Sequence, residues 1–232
     1  MIRSRSSVRP PLSKPRPGLD PGPRPTAELA ATGGPGSSPG RVVIVKAARK
    51  KERMTQRHLT PADYTRQPWK NGRGFTVELW KMERDGQLLA RLSRASVVED
   101  GPFSLFPGIE RNLTVLSGPG FRLTGDRHDF RCEPLVPVAF PGDVALTATE
   151  TNGQQSDDFN VMTARSLPLP EVFLAQNDSL PEGGLLALYA LGPVTVNGQP
   201  VAREDLVLTN GPVTLTGDWP VLAARFYGLP AA

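Results

Sequence analysis

Cysteine and histidine are nearly missing from this chain. Cys132 is its only cysteine, so a disulfide framework and a cysteine metal cluster are both excluded. The single thiol fits a reducing, cytoplasmic setting. Histidine, the commonest metal ligand, occurs only at His58 and His128, with no H-x-H spacing between them. Neither a metal nor any other cofactor is expected. Long apolar runs are lacking too. The most apolar stretch near the N-terminus, RVVIV at 41–45, falls far short of the roughly 20 residues that span a bilayer. The basic N-terminus is not followed by a signal-peptide core and cleavage site, so no membrane partner is expected. There is no G-x-S-x-G elbow, and Cys132 is read as a buried or surface thiol. No stretch holds a long helical period; 99–106 has room for one helical turn at most.

The charge is divided unevenly. Residues 1–57 carry 13 Lys/Arg against 3 Asp/Glu, a net of +10, while 58–232 carry 14 against 20, a net of −6. The basic pI therefore belongs to the N-terminal stretch. The remainder is mildly acidic and gives no support to nucleic-acid binding. Positions 3–40 are Pro, Gly, Ser and Arg with few large apolar residues. Such a segment buries too little surface to offset its ordering entropy, so 1–55 is expected to be a disordered extension. Met54, just ahead of TQRHLTPADYTRQPW, is expected to be the native start.

What is present is β pattern. Phe75, Val77 and Leu79 alternate with Thr76, Glu78 and Trp80, a period of two. A second strand follows the Asp85-Gly86 turn, a strong hairpin signal. Further strands are expected at 113–116, 121–124, 136–140, 144–149 and 159–163, and then at 185–191, 194–196, 206–209, 213–215 and 221–227. Gly and Pro punctuate the gaps. LTVLSGPGFRLTG (113–125) and LALYALGPVTVNG (186–198) follow one plan: strand, Gly-Pro turn, strand, Gly. A repeated plan of short strands predicts two jelly-roll-like units. The expectation is all-β, with a first barrel over 56–168 and a smaller second one over 169–232.

One stretch gathers polar groups at a turn: QPWKNGRGFTVEL, 67–79. Gly72 and Gly74 shape a loop that carries Lys70 and Asn71, and Glu78 follows on the strand behind. Glu78, on the face opposite Phe75, Val77 and Leu79, looks either to solvent or into a cavity. Asp143 and Asp158 sit at strand entrances. They either bond nearby backbone in Asx-turns or form an acid pair at a barrel mouth. Arg111 opens a strand and suits a bidentate grip on a carboxylate; the plainer reading pairs it with Glu110 or an Asp at the surface. Trp69 is a lid or core.

Together these stretches resemble the HutD/Ves family. The match lies in QPWKNGRGFTVEL, then RLSRASVVEDGPFSLFPGIERNLTVLSG (91–118), FPGDVALTA (140–148) and DFNVMT (158–163), in that order and spacing. The resemblance covers about 64–227 and weakens after Arg165. It implies a bicupin whose first barrel carries the motifs. It also implies metal-independent binding of a small carboxylate of the formylglutamate or urocanate class, with an accessory role in histidine utilisation and no established enzymatic activity. Lys70 and Arg111 would hold the anion; Asn71, Asn160 and an acid would read its amide or amine. Trp69, Gly72, Gly74, Glu78, Ser93, Phe106, Asp143 and Asp158 complete the expected site. Arg73 departs from the family's usual glycine, a residue that takes positive φ freely. Two alternatives stay open: a metal-free hydrolase, isomerase or epimerase using Glu78, Asp143 or Asp158 as acid or base, and a stress-related protein acting through a protein partner. A homodimer is compatible with all three readings.

Overall fold

The structure, a computed structural model, describes residues 56–68 and 75–230. All of them lie in one compact unit. The strands are β1 (Gln56–Leu59), β2 (Thr65–Pro68), β3 (Phe75–Arg84), β4 (Gln87–Val97), β5 (Gly101–Pro102), β6 (Ile109–Ser117), β7 (Phe121–Gly125), β8 (His128–Cys132), β9 (Val138–Pro141), β10 (Thr147–Thr149) and β11 (Ser156–Ala164). There follow β12 (Glu171–Ala175), β13 (Ser179–Leu180), β14 (Leu185–Ala190), β15 (Val194–Val196), β16 (Gln199–Val201), β17 (Leu206–Thr209), β18 (Val213–Thr216) and β19 (Val221–Phe226). Helix is confined, among the described residues, to one 3-10 turn, Pro61–Asp63. It is capped where the Asp63 carboxylate accepts from the Thr60 N–H and hydroxyl.

The repeat read from the sequence is a topological one. The first half orders its strands β4-β11-β6-β9 in one sheet and β5-β10-β7-β8 in another. The second half orders them β12-β19-β14-β17 and β13-β18-β15-β16. These eight strands of the first half match the eight of the second in jelly-roll fashion; β2 and β3 extend the first half's large sheet beyond β4, and β1 extends the second's beyond β17. The two stretches that look alike, 113–125 and 186–198, are the corresponding segments β6–β7 and β14–β15. The fold is all-β and cupin-like, as expected. Its halves are pairs of open facing sheets rather than closed rings.

Three apolar layers hold four sheets together. Val97, Leu113, Val115, Phe121, Leu123 and Phe140 fill the first half. Leu186, Leu188, Val196, Val207, Leu215 and Val221 fill the second. Between the two large sheets, Leu92, Phe159, Val161, Tyr189, Leu222 and Phe226 pack back to back, with Phe159 and Tyr189 ring centroids 5.0 Å apart. β14 makes this sharing plain: Leu186, Leu188 and Ala190 feed the second-half layer, and Ala187 and Tyr189 feed the one between the sheets.

Two local results go beyond or correct the sequence reading. β1, which carries His58, pairs with β17 in the second half's sheet, and His58 Nε2 lies 2.8 Å from Asp205 Oδ2. The stretch 99–106 has no helical turn. Its donors are taken by another segment, with the Phe103 N–H bonded to the Leu146 carbonyl and the Phe106 N–H to the Gly142 carbonyl. The Asp85-Gly86 hairpin forms as expected, with φ of 52° and 74°.

Candidate functional site

The pleat of β6 and β11 aims a row of polar side chains into the first half. On β6, Arg111 shares its face with Leu113 and Val115, both in the first-half core. On β11, Asp158 and Asn160 share the face opposite Phe159 and Val161. The register sets Met162 against Arg111 and Asn160 against Leu113. The result is a chain of buried hydrogen bonds. Arg111 Nη2 donates to Asn160 Oδ1 at 2.8 Å. Asn160 Nδ2 donates to Asp158 Oδ1 at 2.6 Å. Arg111 Nη1 donates to the Ser104 carbonyl at 3.2 Å. The amide orientation of Asn160 follows from its neighbours, since arginine only donates and an ionised carboxylate only accepts.

The surroundings of this row are apolar. The Arg111 guanidinium carbon lies 5.4, 5.2 and 5.0 Å from the ring centres of Phe103, Phe106 and Phe140. Arg111 is only 7% exposed, and among the described residues its buried Nε has no hydrogen-bond partner. Burial lowers its pKa to about 10, with Arg91 pushing the same way and Asp158 opposing. Arg111 therefore stays charged at neutral pH. Asp158 is 1% exposed. Burial raises its carboxyl to about 7 against the opposing pull of Arg111, the Asn160 hydrogen bond and the Ala95 N–H. The Cys132 thiol, buried on β8, is pushed up to about 12 by burial and then by Asp158. It is a core thiol rather than a nucleophile.

Of the residues singled out from sequence, Arg111, Asp158, Asn160 and Phe106 come together here. Ser93 joins them, 1% exposed on β4 and in register between Asn160 and Glu78. Glu78 lies on the same face of the sheet, as its alternation predicts, but it is engaged: Arg91 Nε donates to its Oε2 at 2.8 Å. Asp143 stands apart. Arg165 holds it in a bidentate pair at 2.7 and 2.8 Å and also donates to Glu110, all at the exposed rim. The plainer alternative of a Glu110–Arg111 surface pair does not form: Glu110 pairs with Arg165, and Arg111 turns inward. Trp69, Lys70, Asn71, Gly72, Arg73 and Gly74 lie outside the described residues. Two members of the row's surroundings went unread in the sequence as site residues. Phe140 reaches Arg111 through the β6–β9 register, and Phe103 through its bond to Leu146. Neither pairing leaves a local sequence signal.

A cleft of about 560 Å³ opens at the end of this interior face. Leu88, Leu105, Phe106, Ile109, Ala164 and Arg165 line it. Ile109 precedes Arg111 by two positions on β6, and Ala164 follows Met162 by two on β11. Phe106 belongs to both places: it lines the cleft, and its ring centre lies 5.2 Å from the Arg111 guanidinium carbon. Gly142 fixes that ring's backbone: a Cβ there would stand 2.7 Å from the Ile109 carbonyl and 2.8 Å from that of Phe106. A cleft of equal size in the second half has Asp205 and Asp218 as its charged lining, which does not suit an anion. Among the described residues no three His, Cys, Asp or Glu side chains gather as a metal would require. No helix there is long and apolar enough to cross a membrane.

Known proteins share this fold. The HutD family model matches residues 61–212, more than half of the chain and all of the polar row. The chain therefore belongs to the HutD family. Among solved structures it is similar to HutD from Pseudomonas fluorescens SBW25 (formate condition), with 27% identity, a TM-score of 0.67, and coverage of 75% of this chain and 100% of that one. It is also similar to a conserved protein of unknown function from Pseudomonas aeruginosa PAO1, at 28% identity, a TM-score of 0.64 and the same coverage. The protein Ylba from E. coli, at 11% identity and a TM-score of 0.57 over 77% of this chain and 93% of that one, shares the fold alone.

Proposed function

We propose that this HutD-family protein binds a small carboxylate metabolite, of the formylglutamate or urocanate class, in the first half, as an accessory or regulatory protein of histidine utilisation. The observation that carries the reading is Arg111: a buried cation, ringed by three phenylalanines, with its Nε donor unpartnered. A buried donor without a partner costs free energy that an acceptor would recover, and a guanidinium suits a carboxylate. The Phe106 cleft gives a ligand its approach. Lys70 remains a candidate second cation by resemblance.

The test is a thermal-shift titration of the full chain with N-formyl-L-glutamate and with urocanate. Ligand that binds only the folded state raises the melting temperature, by roughly 2.7 kcal/mol of stabilisation at a hundredfold excess over Kd. The shift is expected for at least one of the two and is expected to vanish in Arg111→Gln. No shift with either acid would remove the basis of the reading. One observation favours the enzymatic alternative: a carboxyl near 7 at Asp158 suits general acid–base work. Turnover of either acid, lost in Asp158→Asn, would establish it; unchanged substrate after prolonged incubation would dismiss it.

A further inference from the structure

We infer that the first-half site takes up its anion together with a proton, and that Asp158 carries that proton. The inference rests on the carboxylate-binding reading of Arg111 and adds a condition to it.

The row holds one cation, Arg111, and one acid, Asp158, with the neutral Asn160 amide between them. Both charged groups are at least nine-tenths buried. As +1 and −1 they balance, though only through the amide. An anion on the free Nε of Arg111 would leave the row at −1 inside an apolar ring. Uncompensated buried charge is costly enough that a titratable group neutralises instead. Asp158 is the group able to do so.

The other groups around it do not offer the alternative. Asp157, next on β11, turns to the opposite face and is held by Ser96, Ser117 and Gln155. On β4 and β3, Arg91 and Glu78 already pair with each other. Cys132 on β8 is a neutral thiol. The Ala95 N–H that bonds Asp158 and the Ser93 hydroxyl beside Asn160 do not titrate in this range. The free protein is poised for the change, because burial has already brought Asp158 close to neutrality at physiological pH.

The step is proton binding without covalent change: the proton comes from solvent and returns there on release. Linkage then fixes the sign. Affinity is highest at low pH. It weakens about tenfold per pH unit between the midpoint of Asp158 in the free protein and its higher midpoint in the complex.

Two measurements on the full chain test this. The first is ¹³C NMR titration of the Asp158 side-chain carboxyl, without and with saturating urocanate. The second is calorimetry of urocanate binding in two buffers of different ionisation enthalpy. A free midpoint near neutral that rises on saturation, with net proton uptake on binding, supports the coupling. Asp158→Asn is expected to lose the pH slope of Kd. A free midpoint in the ordinary carboxylate range overturns the coupling. So does binding with no proton uptake and an unmoved midpoint, which leaves the carboxylate reading standing. If urocanate and N-formyl-L-glutamate both fail to shift the melting temperature, the reading and the coupling fall together.

Discussion

The two halves of this molecule share a strand order and differ in what they bury. Superposing Leu113 on Leu186, as the repeat aligns them, puts Gly184 where Arg111 stands. The registers Leu113↔Asn160 and Leu186↔Arg225 put Arg225 where Asn160 stands, and Ala223 in place of Asp158. The second half thus also buries an arginine, at 6% exposure. Its donors are used: Nη1 donates to the Pro181 and Gly183 carbonyls at 2.9 and 2.7 Å, and Glu171 lies 3.8 Å from Nε. No buried acid faces it, because its neighbour is alanine. One barrel has closed its arginine into structure. The other keeps a cation with a spare donor and an acid held near its titration point. A duplicated scaffold allows this division, because a packed half can supply stability while the other carries strained chemistry.

The largest expected difference between the halves comes from removing each arginine. Arg111→Met leaves Asp158 buried without its compensating cation. The expected loss is about 3–5 kcal/mol at pH 8, smaller at pH 5, where Asp158 takes a proton. Arg225→Met leaves two carbonyls unsatisfied and should cost on the order of 1–3 kcal/mol, about equally at both pH values. Denaturant melts of both variants at pH 5 and 8 would check this. Equal losses with no pH dependence in either would erase the contrast.

A smaller effect isolates the acid. The Asp158 carboxyl is raised from 3.8 to about 7 in the folded state. A raised carboxyl favours the fold while protonated in both states. That contribution is full below the unfolded value and is lost as pH rises through the folded one. Stability should therefore fall between pH 5 and 7, by at most about 1.4 kcal/mol per pH unit, and level off above. Asp158→Asn should flatten that segment of the profile, as measured by melting temperature against pH. A slope unchanged by the substitution would assign it to another group. Substituting Ala223, the counterpart position, by serine should leave the pH slope intact.

Much of this was legible in sequence, and the reasons it stopped are physical. The hairpin at Asp85-Gly86, the strands of β6, β7, β11, β14 and β19, and the two-unit plan all announce themselves by local period and turn chemistry. The edge strands β1, β2 and β12 do not. β1 (QRHL) and β2 (TRQP) are short and polar, and β1 and β12 gain their pairing from partners distant in sequence. Arg111, Asp158 and Asn160 could be chosen as candidates because polar residues interrupt apolar strands. Their convergence depends on the β6–β11 register, which no local pattern encodes. Glu78 carries the right alternation, yet its capture by Arg91 depends on the β3–β4 pairing. Asp143 was misleading for a related reason: an acid after Pro-Gly at a strand entrance looks the same whether it faces a cavity or a surface arginine.

That last residue gives the smallest expected effect and a sharp control. Asp143 is bonded to Arg165 at the exposed rim. The Arg165 hydrogen bond holds its carboxyl below the ordinary carboxylate value. Its charge is screened by solvent there, and it faces neither Arg111 nor Asn160. Exposed pairs of this kind contribute little. Asp143→Asn should melt within error of the parent at neutral pH. It should also leave the urocanate or formylglutamate shift in place, since Arg165 keeps Glu110 as a partner. A ligand shift abolished by this substitution would relocate the site from the buried row to the rim of the cleft. It would make Arg165, rather than Arg111, the cation that matters. The contrast between the halves would then rest on a surface ion pair rather than on what each half buries.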